Sequence, residues 1–415
     1  MSHWLLILLM LPTVMEARIG RKPQGAPTRQ NAAIEFGGKA ESGQAPGTHW
    51  ANQIESALAK GDLAATRRFV SSFLEEPGLA ADTLLRIGIS LTQHDLYSEA
   101  SAVFERCIKD HPEVFEGYYN LSLAQLALQR PQDALASLAR IPHTSPPEEV
   151  ARTYLRGKIE LALQRDAEAE RDLSMAFKGA PQEENFGLDL GTCYIREQKY
   201  QPAVEVFQRA LGFHKNSPFL GLGLALAQYL GGLVDESIET CGGLLSAHPD
   251  FSPARVMMAF ALYIRGRIVE AAKVSAQGLS DPRPFPYLYY IHAVSLLKLQ
   301  SDDYDTMEND LAQAIREIPR CGLCYLSLSK VHQRKGDMAT ATVDLEKAVA
   351  QDPALSEAWY NLAKVYEKAG RNDETQIARK RFEELKENKA NRETEILRNE
   401  FLKALGGESS PKQEP

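Results

Sequence analysis

Cysteine is scarce in this sequence, and the few cysteines are poorly placed for a metal site. There are five in 415 residues, and only Cys321 and Cys324 lie close together, in the stretch CGLCYLSLSKVH. Tetrahedral zinc requires four ligands, but Cys107, Cys193 and Cys241 lie far away along the chain. We therefore expect neither a metal nor another cofactor.

An excess of basic residues is also absent. The chain has 47 Lys and Arg against 55 Asp and Glu, which gives a net charge of -8. Proteins that bind nucleic acid usually present a basic surface to the phosphates. The composition therefore argues against nucleic acid as a partner.

A long hydrophobic run is absent as well. The apolar stretch from Trp4 to Met15 is too short for a membrane-spanning helix, which needs about 20 residues. Its length is typical of the core of a signal peptide, and Ala17 is a small residue at which cleavage can occur, although no Lys or Arg precedes it. We expect residues 1–17 to be a signal peptide and the protein to be exported, periplasmic or extracellular. The alternative is a cytoplasmic protein.

Catalytic motifs are missing too. The patterns HExxH and GxSxG, which mark zinc proteases and serine hydrolases, do not occur. The stretch GGKA at residues 37–40 lacks the upstream Gly and the Ser or Thr of a phosphate-binding loop. The stretch GLGL at residues 221–224 follows no strand pattern, so it is not a dinucleotide-binding turn. The sequence therefore predicts that the protein is not an enzyme.

What the sequence does contain is an internal repeat with a period of about 34 residues. The stretches YSEASAVFERCIKDHP, YQPAVEVFQRALGFHK and MATATVDLEKAVAQDP align in one register, and repeats begin near residues 47, 81, 115, 150, 184, 218, 252, 288, 322 and 356. Seven of the nine intervals between these starts are equal, and the other two are longer by one and by two. The two extra residues of the longest interval are expected near SDPRPFPY. Positions within each repeat are counted from these starts.

Two positions of the repeat hold mainly small residues. Position 8 includes Gly88, Gly157 and Gly191, and position 20 includes Ala100, Ala134, Ala169, Ala203, Ala271 and Ala341. Two helices approach closely only where the facing side chains are short, so each repeat is predicted to be a helical hairpin. Position 24 is larger and apolar, which suits a side chain that inserts between neighbouring hairpins: Phe104, Leu138, Leu173, Phe207, Leu311 and Leu345.

The final repeat identifies a family. The stretch EAWYNLAKVYEKAGR places Trp359, Leu362, Ala363, Tyr366 and Gly370 at the spacing of the tetratricopeptide repeat, and residues 47–385 resemble an array of such repeats. The resemblance implies an all-α fold, a right-handed α-solenoid superhelix of about ten hairpins with each first helix on the inner surface. It also implies a non-catalytic scaffold that binds a protein or peptide.

Other segments flank the repeats. Residues 18–46 are rich in Gly, Pro and polar residues, so they are predicted to be a flexible linker. Beyond the repeats, a charged sequence carries the apolar residues Ile396, Leu397, Phe401 and Leu405. We expect residues 386–405 to form a C-terminal capping helix, or alternatively a partner-binding helix, and residues 406–415 to be a disordered tail.

The first helices of repeats six to eight carry the candidate binding site. Positions 2, 5, 6, 9 and 12 lie opposite the small positions, so they are expected to face the inner groove. In these repeats they are mostly apolar: Phe219, Leu222, Leu226, Tyr229, Val256, Met257, Phe260, Tyr263, Tyr289, His292 and Leu296. A contiguous apolar patch usually marks a contact site. We predict that it binds a hydrophobic peptide or helix, anchored by Tyr229, Phe260 and Tyr263. The alternative is that these residues belong to the core.

Other functions remain open on the sequence. The chain could be an accessory or regulatory subunit of an enzyme or of an envelope assembly complex, a cytoplasmic adaptor built from the same repeat, or a purely architectural element of the cell envelope. An enzyme is expected to interrupt the repeat with an inserted domain or a polar cluster, but the longest interruption is two residues.

The cysteine pair is expected to be structural. Cys324 is the third residue of a first helix, and Cys321 precedes that helix. A thioredoxin-like centre lies at a strand-to-helix turn, and this sequence predicts no strand. In an exported protein the pair can form a local disulfide, whereas in the cytosol both thiols stay reduced.

Overall fold

The computed structural model of this chain is all-α, as the repeat predicts. It describes residues 46–318 and 320–386, and in these residues it contains twenty helices and no strand. The helices are α1 (Thr48–Ala59), α2 (Leu63–Glu75), α3 (Ala81–Gln93), α4 (Tyr97–Asp110), α5 (Phe115–Ala127), α6 (Pro131–Ala139), α7 (Pro146–Ala162), α8 (Asp166–Gly179), α9 (Glu184–Arg196), α10 (Tyr200–Phe213), α11 (Pro218–Leu230), α12 (Val234–Ala247), α13 (Ser252–Ile264), α14 (Ile268–Leu279), α15 (Pro286–Lys298), α16 (Tyr304–Glu317), α17 (Gly322–Lys335), α18 (Met338–Gln351), α19 (Ser356–Lys368) and α20 (Asn372–Lys386). The predicted signal peptide, linker, capping helix and tail lie outside the described residues, apart from residues 46 and 386.

The chain divides into two compact units. Of the described residues, one unit holds 46–193 and the other holds those from 194 to 386, and the boundary falls inside α9. Within each unit the helices pack in sequence as hairpins, such as α3 with α4 in the first unit and α17 with α18 in the second. The expected array of helical hairpins is therefore confirmed.

The core of each hairpin lies where the repeat predicts it. The six apolar residues at position 24 are at most 2% exposed. At the small positions opposite them there is no room for a side chain. A Cβ atom on Gly88 would lie 2.3 Å from the ring of Phe104, and one on Gly157 would lie 2.9 Å from Leu173. In a core packed this closely, an added methyl group would force the neighbouring side chains out of their preferred positions. This explains the small residues at position 8.

The turn inside each hairpin contains one residue in the left-handed conformation, at position 15 in every hairpin except the eighth, where it falls at position 13 when counted from residue 288. The ten residues have φ between +57° and +85°, and they are Gly61, Asp95, Gln129, Gln164, Gln198, Gly232, Gly266, Gln300, Gly336 and Gly370. Glycine adopts this conformation without steric cost, and five of the turns use it. The widest interval in this series separates Gln300 from Gly336.

This series corrects the register of the eighth hairpin. Its first helix begins at Pro286, one regular repeat length after Ser252, whereas its second helix begins at Tyr304, which is two residues more than that length after Ile268. The two extra residues therefore lie in the hairpin turn, between Gln300 and Tyr304, and not near SDPRPFPY. The start expected at residue 288 was wrong by two residues. Below, positions in α15 are counted from Pro286, and Tyr304 is position 17.

Histidines at position 31 join consecutive hairpins. The Nε2 of His111 donates a hydrogen bond to the carbonyl oxygen of Leu79 at 2.8 Å, and the Nε2 of His248 donates to that of Asn216 at 2.8 Å. In both cases the acceptor lies at position 33 of the preceding repeat. These bonds satisfy carbonyl groups in connections that have no helical partner, so they fix the second and the sixth hairpin each against the one before it.

Candidate functional site

Six of the eleven residues predicted to line the groove are core residues. Leu222, Leu226, Tyr229, Val256, Met257 and Phe260 are at most 6% exposed. The first helices α11 and α13 pack against each other, and the rings of Tyr229 and Phe260 meet edge to face with centroids 5.9 Å apart. The prediction that these six side chains line an open groove was therefore wrong, because the apolar faces of α11 and α13 are covered within the protein.

The three candidates in α15 were displaced by the register error. Counted from Pro286, His292 is at position 7, and its Nδ1 lies 2.6 Å from Asp310 Oδ2 on α16. The same positions form an ion pair in the fourth hairpin, where Arg156 donates two hydrogen bonds to Asp172. His292 therefore faces its own hairpin partner. Tyr289 and Leu296 pack at the edge of the apolar cluster that includes Met307.

Phe219 and Tyr263 are the two remaining candidates, and both are partly exposed. Phe219 contacts the ring of Phe251 edge to face at 5.9 Å. Tyr263 lies at the C-terminal end of α13 beside Ile264, which is 43% exposed. Partner binding through these side chains stays a prediction.

The same three hairpins expose a different set of apolar residues, at the turns between their helices. Leu233 is 36% exposed, Ile264 43%, Val269 68% and Leu299 42%. We call these four residues the turn-edge row. Each is a residue of the hairpin turn or lies within two residues of a helix end at that turn. A single exposed apolar side chain is common on protein surfaces. Only the arrangement of these four residues can therefore indicate a contact site.

The repeat places two members of this row side by side. Position 14 of one hairpin lies against positions 17 to 21 of the preceding hairpin. Arg265 Nη2 forms an ion pair with Asp235 at 2.8 Å, Lys335 Nζ pairs with Glu308 at 2.6 Å, and Gly231 lies within 3.3 Å of Tyr200, measured from a Cβ atom built on the glycine. Leu299 is at position 14, and Val269 is at position 18 of the preceding hairpin. The equivalent positions predict that Leu299 and Val269 lie side by side, as an exposed apolar pair where the neighbouring hairpins have ion pairs.

This row was not predicted from the sequence, because the prediction covered only positions 2, 5, 6, 9 and 12 of the first helices. The signal was present at the turns. Position 18 changes from Asp235 to Val269 between consecutive repeats. The equivalent change at position 14, from Arg265 to Leu299, was hidden by the two-residue error in register.

A polar network lies between first helices in the unit of residues 46–193. The hydroxyl of Tyr154 donates to Asp189 Oδ2 at 2.6 Å, and Lys158 Nζ lies 3.3 Å from the same oxygen. The ring of Tyr154 stacks on Phe186 at 4.1 Å. Burial, together with the negative charge of Asp189, raises the pKa of Tyr119 well above its usual range. The network pairs its own charges and links α7 to α9.

The cysteines take structural roles in the folded chain. The structure joins Cys321 and Cys324 as a disulfide at the start of α17, where Cys321 Sγ also accepts a hydrogen bond from the Cys324 amide. Cys107, Cys193 and Cys241 are buried and lie outside this disulfide. Burial raises the pKa of Cys107 to about 12, with a further contribution from Glu116, and it also raises the pKa of Cys241. Thiols react as thiolates, so these two are unreactive near neutral pH.

Two further observations bear on chemistry and location. Residues 46–318 and 320–386 contain no group of three or more His, Cys, Asp or Glu side chains that could hold a metal ion. Among the helices of those same residues, none has the length and apolar character needed to cross a membrane.

Comparison with known proteins shows what the repeat is similar to. Two family models, both described as tetratricopeptide repeat, match this chain, one at residues 85–149 and the other at residues 345–377. The human protein named tetratricopeptide repeat protein 13 is 29% identical over 175 residues, a match that covers 41% of this chain and 20% of that protein. This chain therefore spans about a fifth of the length of that relative.

Two solved structures show a similar succession of helices. A tetratricopeptide repeat protein from Parabacteroides merdae is 18% identical, with 60% of this chain and 98% of that chain covered and a TM-score of 0.46. A thermophilic protein of the same type from Thermus thermophilus is 24% identical, with 44% of this chain and all of that chain covered and a TM-score of 0.37.

Proposed function

We propose that this chain, a tetratricopeptide repeat protein, is a non-catalytic scaffold that binds a segment of a partner protein. Each hairpin buries its apolar face against its neighbours, so the residues that remain outside the core are available for contact. The scaffold binds proteins rather than nucleic acid, because its net charge of -8 disfavours a phosphate backbone.

The turn-edge row is the observation that carries this proposal. Val269 and Leu299 expose apolar surface at positions where the adjacent hairpins use ion pairs, and Ile264, next to Arg265 in the chain, is exposed as well. Burial of one such side chain contributes about 1.5–3 kcal/mol. This row therefore replaces the buried residues as the contact surface of hairpins six to eight. Tyr263, one of the predicted anchors, lies at its border.

The neighbouring charges define the chemistry of the partner. The row is flanked by the exposed ion pairs of Arg265 with Asp235 and of Arg267 with Glu270. A matching partner segment has two or three apolar side chains on one face and charged residues of both signs at its margins. An amphipathic helix meets this description, with its apolar residues at i, i+3 and i+4.

Photocrosslinking in the native cell tests the surface directly. A photoreactive amino acid at position 269 or 299 is expected to crosslink a defined partner, whereas the same group at the exposed Glu239 or Lys273 is not. The double variant Val269→Glu/Leu299→Glu is expected to reduce partner recovery at least tenfold. Its melting temperature should stay the same, because exposed substitutions change stability by less than about 0.5 kcal/mol.

The control substitution is Leu63→Glu, which changes a 47% exposed leucine in the other compact unit. It is expected to leave partner recovery unchanged. Equal recovery by the double variant and the wild type contradicts the proposed surface. A crosslinked product that contains a second copy of this chain favours the architectural function over the scaffold, and one that contains an enzyme favours the accessory subunit.

We also propose that the protein is exported. The apolar stretch of residues 4–15 supports this, and so does the disulfide of Cys321 with Cys324, since disulfides persist in oxidising compartments. Protein isolated from its native compartment and alkylated without reduction is expected to carry no label on this pair, while reduction before alkylation adds two labels. Two free thiols in protein that still begins at Met1 contradict export. Unfolding is required to label the buried Cys107, which serves as the internal control.

A further inference from the structure

A cleft lies between the helices of hairpins six and seven, where it is lined by residues of α12, α13 and α14. Its volume is about 320 Å³, which falls in the range of about 300–1,000 Å³ that is typical of binding sites. The cleft is separate from the turn-edge row, none of whose four residues lines it. We call it the α12–α14 cleft and describe it by six of its lining residues: Gly242, Leu245, Arg255, Met258, Val274 and Gln277.

Two consecutive glycines, Gly242 and Gly243, lie in the interior of α12. Glycine is less favourable than alanine there, because it loses more conformational freedom on folding. A Cβ atom built on either residue meets no side chain and no other helix within 4 Å. These glycines are therefore not required by a close contact of the kind seen at Gly88.

Other hairpins place a long side chain at the position of Gly243, which is position 26. Arg106, at this position in the second hairpin, donates hydrogen bonds to the carbonyl oxygens of Leu74 and Glu76 in the hairpin before it. Eight of the other nine hairpins have such a residue: Arg106, Arg140, Met175, Arg209, Gln277, Gln313, Lys347 and Arg381. The sixth hairpin alone leaves this stretch of its second helix without side chains, although the fold does not need that.

The apolar part of the cleft is open where other hairpins are closed. Met258 is at position 7 and Val274 at position 23 of the seventh hairpin, and both are half-buried, as is Leu245. In the fourth hairpin the same two positions hold the ion pair of Arg156 with Asp172. In five other hairpins position 7 is apolar and at most 8% exposed: Ile87, Leu121, Leu190, Leu224 and Leu362. Met258 and Val274 thus leave apolar surface uncovered in the cleft, and covering it is favourable.

Arg255 makes one part of the cleft polar. Its Nη2 donates a hydrogen bond to the carbonyl oxygen of Pro249 at 2.6 Å, and its Nη1 donates to Asp281. Asp281 balances the charge of Arg255, so the cleft favours a neutral group over a carboxylate. A guanidinium group has five N–H donors, and the exposed amide of Gln277 adds donors and an acceptor. Apolar surface beside these groups is complementary to an apolar side chain together with the peptide group that carries it.

The open side of the cleft favours a protein segment over a small molecule. Ser246 and Gln277, on its two sides, are exposed, and the space around the Cβ position of Gly242 is empty of side chains. A small ligand usually has about 70–90% of its surface buried in its site, which an open cleft does not provide. A protein segment covers the exposed side with its own backbone.

We propose that the α12–α14 cleft receives one large apolar side chain of the partner segment, such as Leu, Ile, Met or Phe. This side chain packs on Met258 and Val274 and occupies the space beside Gly242, with its peptide group towards Arg255 and Gln277. The protein partner is the premise taken from the proposed function. The cleft adds a second contact to it, apart from the turn-edge row.

Selection from a displayed library of random twelve-residue peptides tests the cleft on the full-length chain. Peptides that the wild type retains and Gly242→Phe does not are expected to share one large apolar residue. For a synthetic peptide from this set, Gly242→Phe should weaken binding at least tenfold, because the ring fills the cleft, whereas Gly242→Ala should weaken it less than threefold. Replacement of the shared apolar residue of the peptide by Ala should weaken binding to the wild type at least tenfold.

Gly212→Phe is the matched control. Gly212 also lies in a second helix of the same compact unit, α10, and a Cβ atom built on it also meets nothing within 4 Å. This variant is expected to bind the selected peptides like the wild type. All three glycine variants should melt at the wild-type temperature or above it, since each replaces a helical glycine in open space.

The outcomes distinguish the cleft from the turn-edge row. The variant Val269→Glu/Leu299→Glu should bind the selected peptides like the wild type. If it loses its native partner while the library yields no peptide that depends on Gly242, the cleft proposal is overturned and the proposed function stands. If the peptides depend on Gly242 while that variant keeps its native partner, the cleft stands and the turn-edge row does not. Saturable binding of the neutral apolar dye Nile red that Gly242→Phe abolishes, without any such peptide, also overturns the proposal, because the cleft would then be a small-molecule site.

Discussion

Deleting residues 218–251 is expected to leave a folded protein that is one hairpin shorter, with the same helical circular dichroism signal per residue. The deleted segment contains α11, α12 and the connection that precedes α13. Hairpins contact one another through equivalent positions, so the flanking hairpins can pack directly once this one is removed. Deletion of an equally long segment from a conventional globular domain would instead destroy its single core.

The new junction has a predictable defect. Position 3 of a first helix lies against position 27 of the preceding second helix, as a Cβ atom built on Gly278 shows by falling 2.5 Å from Leu288. The deletion brings Ala254 against Ala210 at these positions, in place of Leu220. A cavity left by a missing leucine costs about 2–5 kcal/mol. The substitution Ala254→Leu in the deletion variant is expected to recover most of that loss, as measured by denaturant unfolding.

Deleting half of the hairpin provides the contrast. Removal of residues 218–233 takes away α11 and its turn, which leaves α12 without the helix that buries Ile238 and Cys241. This variant is expected to lose cooperative unfolding and to aggregate. If it unfolded as cooperatively as the variant lacking the whole hairpin, the hairpin would not be the unit of stability.

Most of the fold could be read from the sequence because it depends on short-range patterns. The small residues at positions 8 and 20 and the apolar residues at position 24 identified the hairpins, and the structure has Phe104 and Phe207 fully buried as a result. The register of the eighth repeat could not be read in the same way. Its two extra residues sit in a turn, and the alternation of Gly, Asp and Gln at position 15 obscured the left-handed Gln300 that marks it.

The candidate site was less accessible to sequence reasoning for a physical reason. Helical periodicity shows that Leu222, Met257 and Phe260 share the face opposite the small positions, but it does not show how closely the neighbouring first helices approach that face. In the structure they cover it. Exposure at the hairpin turns, as at Val269, depends on which side chain lies opposite in the next hairpin. That information is absent from any single repeat.

The substitution Phe260→Glu is expected to unfold the compact unit formed by residues 194–386, not merely to weaken partner binding. Phe260 is 6% exposed, and its ring contacts that of Tyr229. Loss of the buried ring costs about 3–5 kcal/mol, and the unpaired carboxylate adds a desolvation penalty. A total above about 4 kcal/mol removes a large share of the roughly 5–15 kcal/mol that stabilises a typical domain.

The dependence of this defect on pH identifies its cause. Burial in an apolar site raises the pKa of a carboxyl group in the folded state above its unfolded value. The protonated form of the new glutamate is therefore the better tolerated one, and stability is lost as the pH rises through the folded pKa. The difference in unfolding free energy between Phe260→Glu and the wild type should shrink between pH 7 and pH 4. Phe260→Leu, which adds no charge, should show a smaller defect without this trend.

Phe213→Glu is the matched control, since it introduces the same residue at a phenylalanine that is 55% exposed at the end of α10. It is expected to change the unfolding free energy by less than about 0.5 kcal/mol and to show no special dependence on pH. Equal stability of the two variants at pH 7 would mean that the face containing Phe260 is open to solvent. The inner groove would then regain its place as the binding surface, and partner recovery by Phe260→Glu would fall while Val269→Glu/Leu299→Glu retained its partner.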